Sequence, residues 1–328
     1  MLNKKVYIII LNWNGWKDTI ECLESVFRLD YPEFRVVVCD NDSQDGSLEH
    51  IKAWAEGRKE ADVATDNPLR HLTFPPVAKP ITYEEYDRSH AETGSGGGNA
   101  SMVMIQTGAN LGFAGGSNVG MRYALARGDF AYIWLLNNDT IIKPDVLSQM
   151  VQRMKEKPKA GICGALILFY NRTDIIWAAG GGTINKWLAK TANINYENPL
   201  TEVSPCDDIE ARMDYVAGAS MLVSADFIRS VGLMSEEYFI YFEEPDWYMR
   251  GRHIFSLAYA HKAIVYHKAG ASVSKWDTDG SKATKIYFRN LWRFQAKFFP
   301  LSLPLVLVYI TMYHLKLIYL RFIHTLQE

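Results

Sequence analysis

The strongest constraint on the fold is a unit repeated near the start of the chain: an apolar run, a polar cluster, then a helical spacing. Val6–Leu11 is an unbroken β-branched, aromatic and leucine stretch that stops at Asn12-Trp13-Asn14-Gly15. Thr19–Leu29 follows, with Ile20, Leu23, Val26 and Phe27 at helical spacing. The unit then recurs. Phe34–Cys39 is a second buried-strand pattern, closed by the polar run Asp40–Ser47, and Ser47 is placed to cap a helix over Leu48–Ala55. Strands joined through helices lie parallel with right-handed crossovers. The two units therefore predict an α/β fold with a Rossmann-like, mostly parallel central sheet flanked by helices. In such sheets ligands bind outside the carboxyl ends of the strands.

The pattern continues along the chain. Met102–Gln106 reads as the third strand and Phe130–Leu136 as the fourth, which delivers Asn137-Asn138-Asp139-Thr140 to the sheet edge. Between them a glycine-rich run, Asn110–Gly120, leads into a helix over Met121–Arg127. Its glycines would let backbone amides approach a diphosphate at a helix N-terminus, although tight packing explains them as well. The run has neither the Rossmann dinucleotide spacing nor the P-loop lysine. Pro144–Met154 is helical and Ala160–Phe169 a strand; 170–213 is mixed, with loop over Asn193–Asp208. Tyr215–Val223 is strand-like around Gly218, and Ser224 caps the helix Ala225–Val231. An aromatic run, Tyr238–Phe242, leads into Glu243-Glu244-Pro245-Asp246, where Pro245 suits a first helical turn. Ala263–Tyr266 is a short last strand presenting His267. From Gly57 to Ala100 the pattern fails among prolines and glycines, which reads as a surface insertion of loop character.

An apolar fraction of 48% over 328 residues is enough for a full core, and a formal net charge of −2 gives no reason to expect a nucleic-acid partner. Four cysteines without C-x-x-C spacing indicate neither a zinc site nor a disulfide framework. Met1–Lys5 runs straight into a strand, so no signal peptide is expected, and a cytoplasmic setting is.

Three polar clusters, Asp40–Asp45, Asn137–Asp139 and Glu243–Asp246, end strands or begin helices, and His267 follows them. Each alone reads as a turn or a solvated face. Together they suit one site: a turn for a nucleotide, a carboxylate for a metal-bound diphosphate, and a base. A sugar hydroxyl is a poor nucleophile unless a carboxylate takes its proton. A divalent cation would neutralise the charge on a departing diphosphate.

On these motifs the chain resembles a family 2 glycosyltransferase of the GT-A fold, in the rhamnosyltransferase-like branch. The resemblance rests on Ile10–Gly15, Cys39–Ser47, Asn110–Asn118 and Leu136–Thr140, and runs from Val6 to Gly270 apart from the insertion. It implies inverting transfer of a sugar from a nucleotide-diphosphate donor, dTDP-rhamnose or a UDP-sugar, to a lipid-linked or polysaccharide acceptor. By motif position Asp40 faces the base and Asn12 the nucleoside. Asn14, Asn41 and Ser43, then Asn110, Gly112, Phe113 and Asn118, then Asn137 and Asn138 complete the donor site. Asp139 and His267 are expected to hold Mg²⁺ or Mn²⁺. The family's acidic pair becomes Glu243-Glu244-Pro245-Asp246 here, with Glu244 where Asp is usual, which leaves the base between Glu244 and Asp246. Glu244 is preferred. Two other readings compete. A sugar-1-phosphate nucleotidyltransferase needs a basic glycine-rich loop that Asn12–Lys17 does not provide; a non-catalytic sugar-nucleotide scaffold is suggested by the substituted acidic motif.

The tail, 276–328, differs from the 1–275 domain. Lys282–Phe299 carries Lys285, Arg289, Arg293 and Lys297 beside aromatic residues, and Leu301–Ile323 is largely apolar. Its most apolar part, Leu303–Tyr313, is shorter than the roughly 20 residues of a spanning helix. A basic aromatic helix followed by a short apolar one suits the membrane interface, here the inner face of the cell membrane. The alternative is a helical pair packed on the domain or on a partner subunit of a homo-oligomer.

Overall fold

The computed structural model describes residues 5–94, 98–188, 190–269, 277, 281–313 and 315. The tail beyond 315 and the expected domain boundary at 275/276 lie outside these residues. The first half reads β1 (Val6–Asn12), α1 (Trp16–Val26), β2 (Phe34–Asp40), α2 (Ser47–Ala55), β3 (Tyr83–Asp87), α3 (Arg88–Glu92), β4 (Met102–Gln106) and α4 (Gly112–Arg127). Next come β5 (Tyr132–Asn137), β6 (Thr140–Ile142), α5 (Val146–Glu156), β7 (Ala160–Phe169), β8 (Ile176–Ala179), β9 (Gly181–Ile184) and β10 (Thr191–Asn193). The chain continues through α6 (Cys206–Arg212), β11 (Tyr215–Val216), β12 (Ser220–Ser224), α7 (Ala225–Val231), α8 (Glu243–Gly251) and β13 (Ser256–His267). A tail helix, Ser281–Phe298, and a last helix over 303–313 follow.

The central sheet has the order β3-β4-β2-β1-β5-β12-β7-β13-β6, with β8 paired to β7. From β3 to β5 all pairs are parallel; β12 enters antiparallel between β5 and β7, and β7 and β13 are again parallel. Period-2 alternation explains why both faces are covered. Along β1, Tyr7 and Ile9 point into one core with α4, while Val6, Ile8 and Ile10 point into the other with α1, α2 and α5. A smaller antiparallel sheet, β10-β9-β11, stands beside the larger one. The expected mostly parallel α/β layout is therefore the observed one.

Several expectations change. The 57–100 stretch is not all loop: β3 forms the sheet edge, in parallel register with β4 from Tyr83↔Met102 to Asp87↔Gln106. That pairing is non-local, so local composition could not report it. The insertion is also pinned to the body. Buried Glu24 accepts from Val77 N (2.8 Å), Trp54 Nε1 (2.7 Å) and Lys79 Nζ (3.2 Å). Tyr215–Val223 divides into β11 and β12 at Ala217–Ala219, and the expected loop up to Asp208 already contains the start of α6. The last strand is longer than Ala263–Tyr266, because β13 follows β7 across an irregularity between Ala260 and Ile264.

Candidate active site

Register assembles the site. Parallel pairing sets Asn12 opposite Asp40, and Leu11 opposite Asn137, so the polar ends of β1, β2 and β5 emerge along one edge. Asn12 Nδ2 donates to Asp40 Oδ2 (2.7 Å) and Ser43 Oγ (3.0 Å), and the amides of Asn14 and Ser43 close the turn on Ser43 Oγ (2.8 Å) and Asp40 Oδ1 (2.9 Å). Asn14 Oδ1 accepts from the Gln44 amide (2.7 Å). Asp40 is fully buried with both oxygens engaged, so it organises this turn from beneath. Thr19 extends the network: its hydroxyl donates to Asn12 Oδ1 (2.7 Å) and accepts from Asn138 Nδ2 (3.0 Å).

The next turn carries Asp139. Antiparallel pairing of β6 with β13 sets Thr140 opposite His267, and the Lys268 amide donates to the Asp139 carbonyl (3.0 Å). His267 Nε2 lies 3.1 Å from Asp139 Oδ1, and both side chains are buried. Burial alone would lift the Asp139 carboxyl; His267 and, more distantly, Lys268 outweigh it and hold the group below the usual carboxylate range. The His267 ring stands edge-on to Trp177 at 4.7 Å between centroids, and its Nδ1 is buried without a partner among the described residues.

Beside this pair lies a cavity of about 300 Å³ walled by Phe113, Asn137, Trp177, Thr191, Asn193, Gly218, Glu243, Glu244, His267 and Tyr287, among others. The two glutamates open α8, where the helix dipole favours negative charge. Glu244 lies against Gly218 so closely that a Cβ there would stand 2.1 Å from its Oε1. Burial pushes the Glu244 carboxyl up to about 7, against the downward pull of its own amide and that of Gly218. Burial, and then Glu244, hold Glu243 well above its ordinary value. Glu243 Oε2 is buried without a partner among the described residues.

Asp246, the other candidate base, has a different environment. It is fully buried and held by Arg250 Nε (2.9 Å), Lys297 Nζ (2.6 Å) and the Tyr238 hydroxyl (3.4 Å). It is not among the cavity's walls. Two cations hold this carboxylate in an ion pair, an environment unlike that of Glu244.

The glycine-rich run is also reassigned. The helix begins at Gly112 rather than Met121, so most of the glycines lie inside α4. A Cβ on Gly116 would stand 2.4 Å from Leu11 Cδ1, and one on Gly120 2.8 Å from Ile9 Cγ2 and 2.9 Å from Cys39 Sγ. The glycines let α4 lie on β1 and β2. Three amides at its N-terminus have partners within the protein. The amides of Leu111, Gly112 and Phe113 donate to Asn41 Oδ1 (3.2 Å), Asn110 Oδ1 (3.1 Å) and the Phe239 carbonyl (2.8 Å). Asn41 Nδ2 donates to Asn110 Oδ1 and the Gly112 carbonyl, both at 3.1 Å. Asn118 is buried and donates to the Met234 carbonyl and Glu236, both at 2.9 Å, away from the cavity's walls. Of the expected donor-site residues, Phe113 and Asn137 do line the cavity. Thr19, in the Asn12 network, and Trp177, Gly218 and Tyr287, in the cavity wall, lie outside the motifs that the sequence singles out.

Comparison with known proteins follows this geometry. A family model described as glycosyl transferase family 2 matches residues 7–67 and 99–207, more than half of the chain, and skips most of the insertion. The low-salt glycan biosynthesis hexosyltransferase Agl10 of Haloferax volcanii is 24% identical over 149 residues, 45% of this chain and 45% of that protein. The match thus spans about half the length of this curated relative. The mannosyltransferase PcManGT from Pyrobaculum calidifontis, solved with GDP-Man and Mn²⁺, superposes with a TM-score of 0.52 at 12% identity, covering 92% of this chain and 73% of that one. GalNAc-T7, solved with UDP, GalNAc and Mn²⁺, gives 0.53 at 14% identity, covering 80% and 44%. At these identities the likeness is one of fold.

Proposed function

The chain belongs to glycosyl transferase family 2, and from that premise we propose that it is an inverting enzyme using Glu244 as its base. One observation carries the reading: a single cavity has Glu244 on one wall and His267, in contact with Asp139, on another. The turn of Asn12, Asn14, Asp40, Asn41 and Ser43 takes the nucleoside of the donor, and Asn137 and Asn138 lie by its diphosphate. The acceptor hydroxyl approaches Glu244, which removes its proton as the oxygen attacks the anomeric carbon opposite the leaving diphosphate. Displacement from that side inverts the centre. A carboxyl near 7 is poised between accepting and releasing a proton at neutral pH.

Asp139 and His267 suit a divalent cation. The Asp139 carboxylate lies 3.1 Å from the His267 imidazole, whose Nδ1 is buried and without a partner among the described residues. Among the described residues no group of three or more ligating side chains occurs, so phosphate oxygens and water would complete the shell, as is usual for Mg²⁺. Mg²⁺ or Mn²⁺ held there would neutralise the charge building on the diphosphate. The Mn²⁺ in the two solved relatives supports this, and their GDP-Man and UDP support a nucleotide-sugar donor. Here dTDP-rhamnose or a UDP-sugar remains the proposed donor, with a lipid-linked or polysaccharide acceptor in cell-surface glycan synthesis; the glycan role of the Haloferax relative agrees.

No helix of the described residues is long and apolar enough to cross a membrane. Peripheral attachment at the inner membrane face is supported instead by exposed Leu301, Leu305, Leu307, Val308, Met312 and Leu315. The decisive experiment measures sugar transfer from a panel of nucleotide sugars. Asp139→Ala and Glu244→Gln should each lower kcat by about a hundredfold or more with the fold intact. Chelation should stop the wild type, and Mn²⁺ should restore it. Wild-type turnover in both variants would refute the reading.

A further inference from the structure

The tail helix grips the segment that carries the catalytic glutamate. Asn290, fully buried, donates from Nδ2 to the carbonyls of Ile240 (2.8 Å) and Tyr241 (3.1 Å). Tyr241 and Phe242 have φ of 72° and 74°, a left-handed region that residues other than glycine rarely enter. The next residue, Glu243, opens α8. The same helix stacks Tyr287 and Phe294 on Phe242, at 5.5 and 5.4 Å between centroids, and sends Lys297 to Asp246. Tyr287 also walls the cavity.

A helix that served only to anchor the chain would have no reason to bury an amide against this turn. We propose that Asn290 is a positioning residue: by holding the Ile240 and Tyr241 carbonyls it fixes the left-handed turn that aims Glu244 into the cavity. The tail helix is then part of the catalytic apparatus. The inference rests on Glu244 being the base, but none of these contacts touches the turn at Asn12 and Asp40, so it predicts a defect in kcat rather than in donor binding.

Asn290→Asp keeps the side chain's shape and turns an acceptor toward the two carbonyls. It should lower kcat about tenfold or more while the KM for the donor stays within about twofold. Asn290→Gln, which retains the donor, should recover part of the loss. Lys297→Met, on an exposed side chain, keeps the aliphatic stem and drops the pairing with Asp246; it should lower kcat in the same sense without changing KM. Unchanged kcat in folded Asn290→Asp overturns the proposal, as does an equal fall in donor affinity. If Asn290→Asp does not fold, unchanged kcat in Lys297→Met overturns it. Failure of the base assignment looks different: either wild type transfers from no donor, or Glu244→Gln retains turnover.

Discussion

Glu244 and Asp246 stand two positions apart in one helical turn and have opposite environments. Asp246 has Arg250 and Lys297 against its oxygens, whereas burial pushes Glu244 up to about 7. The sign of the consequence is definite. A carboxyl raised above its unfolded value favours the protonated folded state, so its contribution is complete below about 4.5 and is lost as pH rises through about 7. Glu244→Gln should therefore stabilise the protein at pH 8 by about 1–2 kcal/mol relative to pH 5, a gain of about 1.5–3 °C in Tm for a chain of 328 residues. Thermal melts of both proteins at the two pH values read this directly, and an equal Tm difference at both would remove the buried-acid account. In wild type, kcat should rise with pH through the same window. The motif points to this acidic cluster, and Arg250 one helical turn after Asp246 is legible in the sequence, but Lys297 arrives from a distant helix and only the fold brings it there.

At the scale of elements, α4 shows how one composition supports two readings. A glycine-rich run after a strand suits both a phosphate-binding turn and a helix pressed onto a sheet, and only the closeness of β1 and β2 decides between them. Gly120 is the sharper test, since the nearest atoms, Ile9 Cγ2 and Cys39 Sγ, belong to fully buried strand residues. Gly120→Val should lose about 2–3 kcal/mol of stability through overpacking, despite valine's better helix propensity than glycine's. Urea unfolding measures it; unchanged stability would mean that α4 can lift off the sheet at no cost. The insertion teaches the same lesson from the other side. Tyr83–Asp87 has no strong strand pattern and becomes an edge strand because β4 offers it an unpaired backbone.

Across the whole molecule, the tail joins an exposed apolar end to the wall of the cavity. Lys282, Lys285 and Arg289 are exposed on the tail helix, and Leu301 is 94% exposed beyond it. Basic residues near an anionic surface contribute about 1 kcal/mol each. The protein should therefore co-sediment with vesicles containing anionic phospholipid and much less with zwitterionic ones. Leu305→Glu with Val308→Glu should abolish this. Vesicle binding unaffected by that pair would remove the last helix from the contact. What the sequence by itself determined was local: β-branched runs of strand length, helical spacing between them, and polar residues where the runs stop. Those features led to the mostly parallel sheet and to the clusters along its carboxyl edge, because strand length and connection length leave few other arrangements. Tertiary structure alone decided which polar groups are satisfied and which are not. Asp40 and Asp246 find partners far along the chain, whereas His267 Nδ1, Glu243 Oε2 and Asn118 Oδ1 find none among the described residues. The free energy of a buried polar group depends on those distant partners, and no local pattern records them.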